Sequence, residues 1–231
     1  MNCNSLEKLF LLVTQARQHI WYSTTMEKPA NSTLINVCII PDERVSAEHA
    51  AMSQALASDQ TLFSLGGERF AHMTAFMARF ANDKVQGVVE AVEQALRSAK
   101  PLRLEHMGYL MTEGRYIETS YRRTADLMGL HEVLISALAD LRINPGNPFE
   151  EGYFTPYTAE QQKNARETGY DLARNLYRPH ITLTRYKEGG VPEIFPAMPA
   201  VNLSFDLDKV CVYKADDNGA VYELVREFRV G

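Results

Sequence analysis

Two short stretches carry side chains whose types and spacing could do chemistry. "ERFAHMTAFMARF" contains His72-Met73-Thr74, and "YRPHITLTRY" contains His180-Ile181-Thr182, the same order of histidine, apolar residue and threonine. Imidazoles titrate near neutrality, so two of them can act as general base and general acid on either side of one phosphorus atom, each contributing roughly 10²- to 10⁴-fold in rate. Threonine hydroxyls beside them can hold the non-bridging oxygens and stabilise charge that grows in the transition state. Such a site needs neither a metal ion nor an organic cofactor, and none is expected.

Both stretches have the apolar, β-branched and aromatic character of strands. Side chains on a strand alternate between faces, which puts His72 and Thr74 on one face about 6.6 Å apart along the chain, with Met73, Ala75 and Met77 left to fill the core. The same rule places Arg178, His180, Thr182, Thr184 and Tyr186 on one face and Ile181 and Leu183 on the other. A row of guanidinium, imidazole and hydroxyl groups fits an anion-binding cleft better than a dry core, where each unpaired group costs about 1 to 3 kcal/mol. The expected site is therefore His72 and His180 as acid and base, with Thr74, Thr182, Arg178 and Thr184 binding substrate. It requires the two strands to lie adjacent in a sheet bent around a groove. Arg178, two residues before His180, disfavours protonation of that ring and so assigns His180 as base and His72 as acid.

The elements that must position these residues follow from periodicity. "TLINVCIIP" is an apolar run stopped by Pro41, a buried strand. "SAEHAAMSQALAS" suits a helix, with His49 on its surface. "DKVQGVVEAVEQALRSAKP" repeats Val85, Val88, Val89, Val92 and Leu96 at helical spacing, and "ADLMGLHEVLISALADL" does so with its leucines. Between these helices, "LRLEHMGYLMTEGRYIETSYRR" reads as two strands around Thr112-Glu113-Gly114. His106 and His131 fall within these elements as structural residues. Residues 144–175 turn polar and irregular, a loop plus a short helix able to act as a lid, and Tyr153, Phe154, Tyr157 and Tyr170 could there stack on a base. The chain closes with a hairpin around Asp217-Asn218-Gly219. Strands joined by hairpins and interspersed with a few helices indicate an α+β fold.

Bulk properties narrow the partners. The 231 residues carry a net charge of -5 and 45% apolar content, which provides for a packed core and argues against a protein that neutralises the many phosphates of duplex DNA. Cys3, Cys38 and Cys211 are odd in number and widely spaced, so neither a disulfide framework nor a Cys-x-x-Cys metal site is indicated, and a reducing cytoplasm fits. "LFLLV", residues 9–13, is too short for an export signal or a membrane span. With Leu6 and Ile20 it reads as an amphipathic helix, giving an N-terminal helix and linker over 1–32 and one domain over 33–231.

"HMTA" and "HITL", one in each half of the chain, resemble the paired signatures of the two-histidine (2H) phosphoesterase superfamily, the group of the 2'-5' RNA ligase-like proteins and cyclic phosphodiesterases. "RPHITLTR" is similar to its second motif, and "FDLDKVCVYKADDNGAVYELVREFRV" to its closing hairpin, so that the resemblance spans Thr33 to Val230. It implies a bilobal, pseudo-symmetric α+β fold whose antiparallel sheets line a central groove, with helices outside. It also implies catalysis by His72 and His180, metal-independent hydrolysis of a 2',3'-cyclic phosphate, a 2'-5' linkage or a related cyclic nucleotide, and a small nucleotide or an RNA end as partner. Ala75 departs from the larger aliphatic residue usual in the first motif, and residues 144–175 are long. Two other readings compete: a non-catalytic module that binds a nucleotide or RNA end in the same groove, and a metallohydrolase with His72 and His180 as ligands. The second lacks a clear third ligand.

Overall fold

A computed structural model describes residues 31–97, 99–143, 157–187, 198, 201–217 and 219–230. The expected N-terminal helix, Cys3, Tyr153, Phe154 and Asn218 of the hairpin turn lie outside these residues.

The centre of the larger sheet is β1 (Ser32–Ile39), whose residues from Leu34 to Ile39 are all buried. Strand β1 has a strand on each side and is covered on both faces, so it shows a continuous apolar run instead of an alternating one. It pairs antiparallel with β2 (Met73–Ala81) and with β8 (Lys209–Ala215), which in turn pairs with β9 (Val221–Arg229), giving the order β2-β1-β8-β9. The expected closing hairpin is β8–β9. Cys38 and Cys211 face each other across β1 and β8 as buried free thiols.

A second antiparallel sheet has the order β4-β5-β6, from β4 (His106–Met111), β5 (Tyr116–Tyr121) and β6 (His180–Arg185). A short pair, β3 (Arg103–Leu104) with β7 (Phe205–Asp206), stands apart from both. The two motif strands thus belong to different sheets, which corrects the expectation of neighbours in one sheet. Each lies at the edge of its own sheet, and the two edges pack against each other. The buried Tyr177 reinforces this junction by donating its hydroxyl to the Thr74 carbonyl at 3.0 Å.

Helices cover the outside. Helices α2 (Val85–Leu96) and α3 (Ala125–Leu138) pack on each other, and α3 also packs on β2. His131 of α3 is buried and structural. Its Nδ1–H donates to the Ala75 carbonyl at 2.6 Å, its Nε2 accepts from the Arg174 amide at 2.9 Å, and its ring stacks on Tyr177. Helix α1 (Glu43–Leu56) begins three residues before the expected Ser46, because the Asp42 side chain caps it by accepting from the Val45 amide. Rather than return to its own sheet, α1 packs on β6.

That placement overturns the surface position expected for His49, which is fully buried. Its Nδ1–H donates to the Val45 carbonyl at 2.7 Å, and its Nε2 accepts from the Thr119 hydroxyl at 2.8 Å. Ser53, one turn on, donates to the Leu183 carbonyl at 2.6 Å. These polar residues face the second sheet, each with a partner. The fourth helix, α4 (Ala159–Thr168), is the short helix expected in the long insert, and Thr158 and Gln161 form a capping box at its start. Among the described residues no helix is long and apolar enough to cross a membrane.

Candidate active site

A cavity of about 700 Å³ opens where β2 and β6 meet, and His72, Thr74, Arg178, His180 and Thr182 all line it. Both histidines are held in the same way. The Nδ1–H of His72 donates to the carbonyl of Phe70 at 3.2 Å, and that of His180 to the carbonyl of Arg178 at 2.6 Å. A carbonyl can only accept, so Nδ1 carries the proton in each ring and Nε2 is the nitrogen left to take one up. Each histidine is tethered to the backbone two residues upstream, at the entrance to its strand.

The surroundings of the two rings differ. His72 packs edge-on against Phe70, which leans on Tyr213. Burial among these groups is the largest influence on His72 and pushes its pKa down to about 4, despite the opposing Phe70 hydrogen bond; the neighbouring His180 lowers it further. His180 instead has a carboxylate beside it, since Glu118 Oε1 lies 3.6 Å from its Nε2. Glu118 is buried on β5 and also forms an ion pair with Arg178. Arg178 is therefore not an unneutralised cation next to His180, and the ground for making His180 the base is removed.

Thr184 does not join the site. It is fully buried and donates its hydroxyl to the Phe63 carbonyl. The cause is a bulge in the β5–β6 pairing: Ile117 faces Thr184 while Glu118 faces Thr182, which leaves Leu183 as an extra residue. An extra residue resets the alternation, so strict period-2 counting fails beyond Thr182. Arg185 takes the place expected for Thr184, lining the cavity with its guanidinium over the Tyr116 ring at 4.7 Å. Tyr186 also turns inward and donates to the Leu56 carbonyl.

Two further residues shape the site. Asn36, fully buried in the apolar strand β1, donates from Nδ2 to Thr74 Oγ1 at 3.0 Å and to the Gly219 carbonyl at 3.4 Å. Turning the amide over would set its oxygen against the Gly219 oxygen, which fixes the orientation. Thr74 thus receives a hydrogen bond from Asn36, and its own O–H remains to be given to a ligand. A polar residue within "LINVCII" was the available sequence signal for Asn36. Glu118 had only a carboxylate between threonine and isoleucine in a strand as its signal.

Residues of the long insert form another wall of the cavity. Thr158, Gln161 and Asp171 line it, and Gln161 donates to the Asp171 carboxylate at 3.2 Å. Tyr157 and Tyr170 line it as well, but Tyr170 is buried against Phe76 and His131 and so anchors the segment. Among the described residues no group of three or more His, Cys, Asp or Glu side chains is placed to hold a metal ion.

No family model and no curated protein sequence matches the chain. Solved structures do match. A crystal structure of a phosphoesterase aligns with a TM-score of 0.56 at 13% identity, covering 86% of this chain and 98% of the other. TT0787 of Thermus thermophilus aligns with a TM-score of 0.58 at 17% identity, covering 85% and 97%. E. coli LigT complexed with 3'-AMP aligns with a TM-score of 0.54 at 13% identity, covering 86% and 98%. The chain has the α+β fold of these proteins.

Proposed function

We propose that this protein is a phosphodiesterase that hydrolyses a 2',3'-cyclic phosphate, a 2'-5' linkage or a related cyclic nucleotide, with His72 as general base and His180 as general acid. The observation that carries the reading is the matched tethering of the two imidazoles, each with Nδ1–H on a backbone carbonyl and Nε2 left for proton transfer, in one cavity. The fold shared with LigT supports it.

The depressed pKa of His72 keeps that ring neutral at pH 7, the form that removes a proton from attacking water. His180, with the Glu118 carboxylate 3.6 Å from its Nε2, delivers a proton to the departing ribose oxygen. Arg178 balances the charge of Glu118 and spares the phosphate its repulsion. Thr74 and Thr182 donate to the non-bridging oxygens, Thr74 with its hydroxyl turned outward by Asn36. Water attack with proton loss to His72 breaks one P–O bond, and the proton from His180 completes the released hydroxyl.

A panel of 2',3'-cyclic nucleotides, 2'-5' dinucleotides and cyclic dinucleotides, incubated in the presence of EDTA, tests this reading. Turnover of one class, unchanged by the chelator, is expected. Turnover of none, or activity that appears only on adding Zn²⁺ or Mn²⁺, would contradict it.

A further inference from the structure

The cavity extends beyond the histidines and threonines to a further cation, Arg69, besides Arg178 and Arg185. Arg69 lies three residues before His72, so their Cα atoms are at most about 10 Å apart. Its guanidinium carbon stands 4.8 Å from the centre of the Phe63 ring, and both residues line the cavity. Among the described residues no carboxylate pairs with Arg69, although the chain is acidic overall.

The backbone on both sides of this stack is fastened. Residues 60–63 run along the outer edge of β6: the Leu62 amide donates to the Arg185 carbonyl at 2.8 Å, the Lys187 amide donates to the Gln60 carbonyl at 2.8 Å, and the Phe63 carbonyl accepts from Thr184. Gly66 and Arg69 then close a tight turn by exchanging backbone hydrogen bonds of 2.7 and 3.3 Å. The turn requires positive φ at Gly66 and Gly67, which glycine adopts without strain. The ring and the guanidinium are thus each brought to the cavity wall by a fixed piece of chain.

A guanidinium held over an aromatic ring makes no hydrogen bond to it and keeps its N–H donors free. They remain able to grip two oxygens of a phosphate, while the ring holds the group in place. We propose that Arg69 on Phe63 forms a second anion subsite, which receives a phosphate other than the one between the histidines. The substrate is then a nucleotide bearing two separate phosphates, such as an RNA end or a 5'-phosphorylated cyclic nucleotide, in preference to a nucleoside with one. This rests on the proposed function and deepens it by naming the substrate class. Of the carboxylates lining the same cavity, Glu118 and Asp171 are engaged by Arg178 and Gln161 and Glu113 stands on the β4–β5 turn, whereas Arg69 has no carboxylate partner among the described residues and is open to a negative ligand.

The test uses binding, so that it does not depend on turnover. Adenosine 3',5'-bisphosphate and adenosine 3'-monophosphate are titrated calorimetrically into the wild-type protein and into Arg69→Gln, each checked for a native circular dichroism spectrum. The bisphosphate should bind the wild type at least tenfold more tightly, and Arg69→Gln should reduce that ratio to within twofold of unity. Equal affinities in the wild type, or a ratio retained in Arg69→Gln, would overturn the subsite while leaving the proposed activity standing. Binding of neither nucleotide would count against both. A second arm compares kcat/KM for adenosine 2',3'-cyclic phosphate with and without a 5'-phosphate. The preference for the phosphorylated form should appear mainly in KM and collapse in Arg69→Gln; a preference residing in kcat and unaffected by the substitution would contradict the subsite.

Discussion

At the scale of single residues, the proposed catalysis depends on which nitrogen carries which proton. Burial holds His72 near pKa 4, so NMR titration of its ring should show a midpoint there, and a midpoint at or above 6.5 would reverse the assignment of base. The acidic limb of kcat/KM should lie near pH 4 for the same reason, since activity is lost only where His72 gains a proton. Asn36 supplies a second test. Thr74→Ala removes a donor to the phosphate and should lower kcat by about 10²-fold. Asn36→Asp substitutes an acceptor for the Nδ2 donor, draws the Thr74 proton toward itself and should produce a loss of similar size. In a double-mutant cycle the two losses should not add. Full additivity would mean that Asn36 acts on something other than the Thr74 hydroxyl.

At the scale of elements, the bulge at Leu183 separates two threonines that sequence alternation treats as equivalent. Thr184→Val should cost about 1 kcal/mol of stability through the lost bond to Phe63 and change kcat/KM less than twofold. Thr182→Val should keep its melting temperature and lose activity about 10²-fold. The contrast is checked by thermal melts and kinetics on the two variants. Helix α1 gives a pH-dependent signature. Burial, above its other influences, lowers the pKa of His49 from 6.5 to about 4. Between those values the unfolded chain binds the proton and the folded one does not, so stability falls as pH drops from 6.5 toward 4, by about 3 kcal/mol. In His49→Leu this swing should shrink by that amount; an unchanged urea midpoint slope over the same pH range would show that His49 is not the group responsible.

At the scale of the whole molecule, what sequence could reveal divides along contact range. The strands, helices and hairpin were legible because periodicity and turn residues are local, and His72 and His180 were legible because the His-x-Thr order repeats. Glu118 and Asn36 left only the weak mark of a polar residue in a strand and Arg185 left none, since each reaches the site through pairing register, a buried cross-strand bond or a bulge that no single strand reveals. His49 was misplaced for a related reason: α1 follows β1 but covers the other sheet. The consequence of that interleaving for the proposed activity is that His72 and His180 come from two sheet edges, each buttressed separately, by α3 on β2 and by α1 on β6. The most direct test of the central claim is kcat for His72→Ala and His180→Ala on the best phosphodiester substrate in EDTA, with melting temperatures measured in parallel. Each variant should lose at least about 10²-fold in kcat while melting within a few degrees of the wild type; turnover within tenfold of the wild type in either one would contradict two-histidine catalysis.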